Sequence, residues 1–446
     1  MKNTPYYFYV LLIKAVFFIC FAISGTHSIA QANDTIKNPP DNDTPAHVKP
    51  PLHADSVNKQ FDVADLYNAA LHPKKKEDAH HSKSGVTIIP NIAANPTIGL
   101  QGGIKAVAGK VLGKKKYPET YMSVAATSAS ITTKGILYFY ISHNVFTPGN
   151  KWNFQGSLVA AKSVTPDFGQ GIGEGSAPNA DDALLINTGR KPYVYHSQYY
   201  RFYEKAYKQI KKNLFVGGGV EFDIRRKLTV AGNNPDEATP QDVYNSRYGF
   251  ANDHYMSNGF LFDVEYTTRD NQNRPYKGMY FDAGLRVNQT WLGSTQSASQ
   301  LMVDFRKYIS LSTRNPANVL ALWTWSSYVL GGVLPYLELP GTGRDPNFRS
   351  GRGYTSQYFK STKYFYSEAE YRFPIMRNQF LSGVVFANVQ SANNDVHVKL
   401  FEIWQPAAGA GLRVLFNKAT RTNLCLDYAW GRYGSKGFFL GLNEAF

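Results

Sequence analysis

The sequence predicts an all-β protein, an antiparallel transmembrane β-barrel of about sixteen strands behind a short N-terminal periplasmic leader with one helix. Apolar and polar residues alternate along many segments after residue 85. Short turns and long loops alternate between these segments. Charged residues make up 18% of the chain and aromatic residues 14%, yet the mean hydropathy is −0.34. A chain in which every second residue of many strands is apolar has this combination of few charged residues, many aromatic residues and a negative mean hydropathy.

The alternation is clearest in segments 213–225, 258–266 and 277–288. In the first, Phe215, Glu221, Asp223 and Arg225 share one face, opposite a row of apolar residues. A soluble sandwich also alternates, but it hides its apolar face against a second sheet. A membrane barrel turns that face to lipid and keeps charged residues inside.

Connection lengths favour the membrane barrel over the sandwich. Short turns at one rim and long loops at the other are typical of outer-membrane barrels. The short turns lie at 147–150, 209–213, 313–317, 376–380 and 417–421, and the long loops at 163–190, 228–257, 332–362 and 391–407. Strands are expected to start near 85, 97, 119, 132, 150, 191, 213, 257, 276, 299, 317, 363, 381, 407, 422 and 437.

The N-terminal region divides into two parts before the barrel domain 85–446. Residues 1–30 are predicted to be a signal peptide, because an apolar run ends in the small residues of a cleavage site. A transmembrane anchor is the alternative. Residues 31–84 are predicted to be a mobile periplasmic leader. Within the leader, 61–72 has the pattern of a short amphipathic helix, which would plug a barrel, dock to a partner or lie on the membrane surface.

Several classes of function are not supported by the sequence. The net charge is +15, but export and the lack of any basic motif argue against nucleic acid. No Gly-x-Ser-x-Gly nucleophile turn occurs, so we expect no enzyme. We also expect no cofactor and no metal site. Removal of 1–30 would leave Cys425 as the single cysteine, without an intramolecular disulfide.

The most distinctive segment is a glycine-flanked arginine at the end of a long polar loop. It reads Gly351, Arg352, Gly353, Tyr354. The following strand has two faces. Phe365, Ala369, Tyr371 and Phe373 lie on one, and Tyr364, Tyr366, Glu368, Glu370 and Arg372 on the other. The first set is expected to meet lipid and the second the lumen.

The two ends of the predicted barrel form its closing seam. The first strand contains Pro90, which cannot donate a hydrogen bond to a neighbouring strand. The last segment ends on the aromatic Phe446, as expected of a closing strand, although Glu444 interrupts the apolar alternation. We therefore predict a weak seam between the first and last strands.

Residues 85–446 resemble the BamA/TamA-type superfamily of outer-membrane barrels, the bacterial surface antigen family. The resemblance rests on motifs in a fixed order along the strands. They are Arg352-Gly353-Tyr354 in the sixth loop, Glu370-x-Arg372-x-Pro374, Gly409-x-Gly411-Leu412-Arg413, Asp427 in the penultimate strand, and Phe446. The resemblance implies that Arg352 folds into the barrel and docks on acidic or polar groups of the inner wall.

The chain departs from the family pattern in two places. Asn388 stands where the family usually carries an aspartate. We expect its amide to accept from the Arg352 guanidinium more weakly than a carboxylate would, and Asn388→Asp to strengthen that contact. Glu368, Glu370 and Asp427 are the candidates to supply charge. The leader also has no room for a POTRA module, so the chain resembles a barrel-only branch.

The resemblance implies an assembly, insertion or translocation factor. The alternative is a passive pore or a structural, surface-exposed barrel without insertase activity. The expected location is the Gram-negative outer membrane, reached by the signal peptide. Expected partners are outer-membrane lipid, including lipopolysaccharide-type head groups, and client barrels or other envelope proteins.

Overall fold

The computed structural model describes residues 60–63, 65, 66, 86–113, 115–117, 119–173, 191–231, 238–394, 398–418 and 420–446. The predicted signal peptide and most of the leader lie outside these residues. In the described part of the chain, no helix combines the length and the hydrophobicity needed to cross a membrane.

Within the described residues, seventeen strand segments form one antiparallel sheet that closes on itself. They are β1 (Val86–Pro90), β2 (Ala93–Asn95), β3 (Gly99–Val111), β4 (Met122–Thr132), β5 (Leu137–Phe146), β6 (Trp152–Asp167), β7 (Tyr193–Lys211), β8 (Leu214–Ala231), β9 (Tyr255–Thr267), β10 (Gly278–Asn288), β11 (Ala298–Ser310), β12 (Val319–Gly332), β13 (Lys363–Pro374), β14 (Leu381–Ala392), β15 (Gln405–Asn417), β16 (Thr422–Gly431) and β17 (Lys436–Leu442). Between residues 86 and 446, the other elements in the described ranges are helix α1 (Pro240–Tyr248) and the 3-10 turns Pro148–Asn150, Thr290–Leu292 and Tyr336–Glu338.

The first barrel strand is interrupted, so these segments form sixteen barrel strands. Both β1 and β2 pair with β3, and the pairing keeps one register across the break: Pro90 faces Ile104, and Ala93 faces Gln101. Only Asn91 and Ile92 separate the two segments. The predicted all-β barrel and its strand number are thus confirmed.

Loop lengths follow the predicted alternation with exceptions. Loops 168–192, 232–254 and 333–362 are long and lie at one rim, whereas 96–98 and 133–136 at the same rim are short. At the other rim, turns 112–121 and 268–277 are longer than expected. The second of these is folded back on itself, because Asp270 accepts hydrogen bonds from the backbone amides of Tyr276 and Lys277. The rim with turns 375–380 and 418–421 is called the periplasmic rim below.

The two faces of the sheet have different chemistry. Along β13, Glu368, Glu370 and Arg372 are buried, whereas Ala369 and Tyr371 on the opposite face are exposed. Large apolar side chains also project from the outer wall. Examples are Ile104, Phe139, Phe262, Leu412 and Phe438. An apolar outer wall and a charged interior are what a lipid-embedded barrel requires.

At the rim opposite the periplasmic one, called the extracellular rim below, the described parts of two loops pack together. Tyr244 of α1 packs against Tyr336 of loop 333–362, and its hydroxyl donates to the carbonyl of Leu334. Helix α1 starts with a capping box between Thr239 and Asp242 and ends at Gly249, whose φ is 75°. These contacts fix loop 333–362, called loop six below, to helix α1 between β8 and β9.

A buried ion pair joins loop six to the end of β6. Lys360 pairs with Asp167 at the end of β6, and its ammonium lies 3.7 Å from the ring centroid of Tyr336. Burial lowers the pKa of Lys360, and the Asp167 carboxylate opposes that shift. Lys360 also bridges to Gly171 and Gly341 through its backbone.

The end of the chain differs from the expected closing strand. Strand β17 stops at Leu442, and Asn443 takes a φ of 67°. Residues 443–446, called the tail below, turn into the lumen. Phe446 stacks on Trp323 at a centroid distance of 5.1 Å and does not lie in the seam. If β17 continued as a strand, Glu444 would face lipid. In the lumen its carboxylate pairs with arginines, which explains the inward turn.

The described part of the leader lies against the periplasmic rim. The ring of Phe61 packs on Phe380 at 5.4 Å, and its amide donates to the carbonyl of Asn378 at 3.2 Å. Lys418 donates from its backbone amide to Asp62 and from its side chain to Asp65. Residues 63, 65 and 66 are helical. The remainder of the predicted helix 61–72 lies outside the described residues.

Candidate functional site: the loop-six network and the seam

Loop six reaches the inner wall because its backbone turns sharply at two glycines. The φ angles of Gly351 and Gly353 are 83° and 105°, which side chains on either residue would disfavour. A Cβ on Gly353 would lie 2.7 Å from the Cβ of Ala407 on β15. The glycines on both sides of Arg352 therefore permit a close approach to the wall.

Arg352 lies among three carboxylates of the inner wall. Its Nη1 donates to Asp427 of β16 at 2.7 Å, and its Nη2 donates to Glu370 at 2.5 Å and to Glu368 of β13. The guanidinium carbon is 3.6 Å from the ring centroid of Phe386. Burial alone would lower the pKa of Arg352, but Glu368, Glu370 and Asp427 raise it well above its usual value.

The carboxylates of this site are shared with further arginines. Arg372 donates to Glu370 at 2.6 Å, and Arg413 to Asp427 at 2.5 Å. Gly411 makes room for this arrangement, since a Cβ there would lie 1.8 Å from Asp427 Oδ1. Groups of opposite charge therefore surround each other in a buried network, which is the condition for burying them at all.

Asn388 is part of the network, but its role differs from the one expected. Its Nδ2 donates to the carbonyl of Arg352 at 2.9 Å and approaches Glu368 at 3.4 Å. Both neighbours can only accept, so the amide nitrogen must face them. The expectation that Asn388 accepts from the guanidinium is thus wrong. An aspartate here would place a second carboxylate beside Glu368.

A second arginine of loop six, Arg349, was not predicted from the sequence. Its Nη2 donates to the carbonyl of Leu442 at 2.9 Å, and its Nη1 donates to those of Asn443 and Glu444 at 3.2 and 3.4 Å. Burial lowers the pKa of Arg349. Backbone acceptors leave no signature in the sequence, so no pattern could have identified this contact.

The tail continues from Arg349 into the charge network. Glu444 accepts from Arg413 at 2.7 Å and from Asn423 at 2.7 Å. The carbonyl of Phe446 accepts from Arg372 at 2.9 Å. The arginine of loop six, the inner wall and the tail are thereby joined in one set of hydrogen bonds.

The barrel closes through very little pairing. Among the described residues, one bridge joins the last strand to the first, between Leu440 and Ala94. By contrast, β16 and β17 align over 424–430. If β17 continued in the register of the Leu440–Ala94 bridge, residue 444 would face Pro90 and residue 446 would face Ile88. The outer edge of β1 lacks this partner because the tail has turned inward.

Pro90 further weakens this edge. The amide of Asn91 donates to Gly103 on β3 at 2.9 Å. Amides of successive residues in an antiparallel strand point to opposite sides. Position 90 would therefore direct its N–H toward the seam, and proline has none.

The remaining lumen is a polar cavity. Its volume is about 660 Å³, and its lining includes Arg201, Lys205, Arg286, Arg306 and Glu221. Most of these side chains are paired, for example Arg201 with Asp223 at 2.7 Å. No three His, Cys, Asp or Glu side chains within the described ranges are arranged to hold a metal ion.

Comparison with solved structures shows a related fold. The chain is similar to BamA from Haemophilus ducreyi lacking POTRA domains 1–3, with a TM-score of 0.54 and 13% identity over 81% of this chain and 70% of that one. It is also similar to CdiB from Escherichia coli, with a TM-score of 0.50 and 9% identity over 80% of this chain and 62% of that one. No match in sequence was found among curated proteins. A model of the Omp85 superfamily domain matches residues 186–446, more than half of the sequence, so the chain belongs to the Omp85 superfamily of outer-membrane β-barrels.

Proposed function

We propose that this barrel is an assembly, insertion or translocation factor of the outer membrane, without enzymatic activity, that works by opening the seam between β17 and the first barrel strand. The observation that carries the proposal is the closure through the single described bridge Leu440–Ala94. A barrel needs such a seam to release a strand or a polypeptide sideways.

The seam-side edge of β1 provides backbone groups that can bind another strand. Its backbone groups on the seam side lack a strand partner in the described chain. Unpaired backbone groups are costly in lipid, so this edge favours pairing with any extended segment. Two segments compete for it in this proposal, the protein's own tail and a strand of a client protein.

Loop six sets which segment pairs with that edge. Arg352 fixes the loop to the wall through carboxylates of β13 and β16. Arg349 then holds the carbonyls of residues 442–444 away from β1. In this mechanism the loop keeps the edge free, and movement of Arg349 would release the tail to close the seam.

Outer-membrane lipid is the second partner. Lys162, Lys363 and Lys436 lie on the outer wall near the extracellular ends of their strands and are exposed. At this height they would meet phosphate groups of lipopolysaccharide-type head groups.

A disulfide across the seam tests the proposed function. We would introduce Ala94→Cys with Leu440→Cys, and as a matched control Leu412→Cys with Leu426→Cys across β15 and β16, which are directly opposite and fully paired. Both pairs would be placed in a Cys425→Ser background. Oxidation of the seam pair should stop delivery of client barrels to the outer membrane, whereas the control pair should not. Equal client levels with both pairs oxidised would overturn the proposal.

Conductance in liposomes separates this function from the alternative of a passive pore or a structural barrel. Because side chains and loop six fill much of the lumen, we expect the conductance of this barrel to be small or transient. Large, stable channels that Arg352→Ala leaves unchanged, together with normal client levels on depletion of the protein, would favour the pore.

A further inference from the structure

One titratable pair faces outward from the barrel. Among the strands that the structure describes, Glu204 is the single carboxylate on the outer wall. Its neighbours along β7, Arg201, Tyr203 and Lys205, face the lumen, where Arg201 binds Asp223 and Lys205 binds Asp263. His143 on β5 faces outward too, since Phe139 and Ile141, four and two residues before it on the same face of the strand, are exposed.

The two side chains meet across an intervening strand. His143 Nε2 lies 3.0 Å from Glu204 Oε2, although β6 separates β5 from β7. The residue between them is Gly156, which pairs with His143 on one side and with Glu204 on the other. A Cβ on Gly156 would lie 2.0 Å from Glu204 Oε2 and 2.5 Å from His143 Nε2. Any other residue at 156 would displace the pair.

The pair lies within the height of the apolar band. On β6 the outward residues run from Trp152 at the periplasmic rim, through Gly156, to Lys162. A tilted strand gains about 2.5 Å of height per residue, so Gly156 lies roughly 10 Å above Trp152 and about 15 Å below Lys162. The neighbours Ile141, Phe154 and Leu158 are apolar and exposed. Ionisable groups at this depth are costly and usually face protein rather than lipid.

The pair is only partly covered by the chain itself. The side chains of His143 and Glu204 are 33% and 39% exposed. Glu204 Oε1 has no hydrogen-bond partner among the described residues. This oxygen can therefore accept a hydrogen bond from a molecule that contacts the outer wall here.

The wall next to the pair carries small side chains on its extracellular side. The row of directly paired residues that contains Glu204, Gly156 and His143 continues to Ala125 on β4 and Ala108 on β3. From that row toward the extracellular rim, the nearest outward residues on these two strands are small, whereas Lys110 follows on the periplasmic side. The small residues are Ala106, Ala108, Ala125, Thr127 and Ala129. Small residues allow the backbones of two membrane proteins to approach closely.

We propose that the wall of β3–β7 is an interface between two copies of this barrel in the membrane, centred on His143 and Glu204. A two-fold axis along the membrane normal places His143 of each copy opposite Glu204 of the other. The pair on one copy is therefore complementary in charge to the same pair on the other copy. A lipid head group does not reach this depth, and another protein would need its own matching pair.

Disulfide formation between copies tests the interface. The full chain with Cys20→Ser and Cys425→Ser would carry Leu158→Cys beside the pair, or Val385→Cys on the outward face of β14 as the control. In phospholipid vesicles at low protein density, Leu158→Cys should yield dimers at least tenfold faster than Val385→Cys. Equal rates would overturn the proposal. So would a cross-link of Leu158→Cys in intact outer membranes to a protein of different mass.

Two sets of variants test the chemistry of the pair. The double change His143→Leu with Glu204→Leu removes the polar groups without exposing a charge to lipid, so the barrel should fold and the tenfold preference should disappear. His143→Glu and Glu204→His should each lose self-association, and a mixture of the two should recover cross-linking between unlike chains. Dimers that persist in the double leucine variant would show that the pair does not direct association.

Discussion

Two arginines of loop six, three residues apart, are held inside the barrel by different kinds of contact: Arg352 is buried, and Arg349 is half-buried. Arg352 is surrounded by three carboxylates, which raise its pKa well above the usual value. Arg349 donates to backbone carbonyls of residues 442–444, and burial lowers its pKa. The guanidinium of Arg352 donates to full negative charges, whereas that of Arg349 donates to carbonyl dipoles.

Because of this difference, one loop can combine a stabilising contact, made by Arg352, with a contact that can move, made by Arg349. Breaking the Arg352 contacts leaves uncompensated carboxylates in the wall, which is costly. Breaking the Arg349 contacts leaves carbonyls that a neighbouring strand can satisfy. We therefore expect Arg352 to govern stability and Arg349 to govern the position of the tail.

The largest expected effect comes from Arg352→Ala. Removing one partner of a buried ion pair costs about 3–5 kcal/mol. The free energy of unfolding, measured by urea titration in lipid vesicles, should fall by that amount. The control is Arg421→Ala, which removes a less deeply buried pair with Asp270 at the periplasmic rim and should cost less. Similar losses in both variants would contradict the role given to Arg352.

Asn388→Asp should also destabilise, but by less. The new carboxylate would face Glu368 and the carbonyl of Arg352, both of which accept. Loss of the donated hydrogen bonds costs about 1–3 kcal/mol. Limited proteolysis should cut loop six faster in Asn388→Asp than in the native chain. Slower cutting would restore the view that a carboxylate is preferred at this position.

Arg349→Ala should change the tail more than the stability. Its release would let residues 443–446 pair with β1, where residue 446 would face Ile88. We expect the disulfide yield between Ile88→Cys and Phe446→Cys, in a Cys425→Ser background, to rise several-fold. The urea midpoint should move less than in Arg352→Ala. A large loss of stability without a rise in disulfide yield would remove the distinction between the two arginines.

The smallest effect is expected from Pro90→Val. Valine restores one N–H on the seam side of β1. One hydrogen bond contributes about 0.5–1.5 kcal/mol, or roughly two- to tenfold in an equilibrium. The disulfide yield between positions 88 and 446 should rise within that range. No change would mean that Pro90 does not limit pairing at the seam.

Much of the fold follows from the sequence because alternation fixes which face each residue occupies. Glu368 and Glu370 could be assigned to the lumen from their strand alone. The number of barrel strands followed from the turns between such segments. The break after Pro90 was less visible, since the register continues through Asn91 and Ile92.

The site was harder to predict because several of its contacts do not depend on side-chain type. Arg349 binds carbonyls, which every residue carries. Glu444 was the one visible sign of the inward turn, since it interrupts the apolar alternation of the last segment. The His143–Glu204 pair depends on the register of three strands, which one sequence does not specify.

The length of β17 has a consequence for the surrounding lipid. Seven residues, Lys436–Leu442, span about 23 Å along the strand and roughly 18 Å across the membrane when tilted. The hydrocarbon core of the outer membrane is about 25 Å thick at a barrel wall. We therefore expect the bilayer beside β17 to compress by several ångströms, and under the proposed function this hydrophobic mismatch would lower the barrier to inserting a new strand at that place.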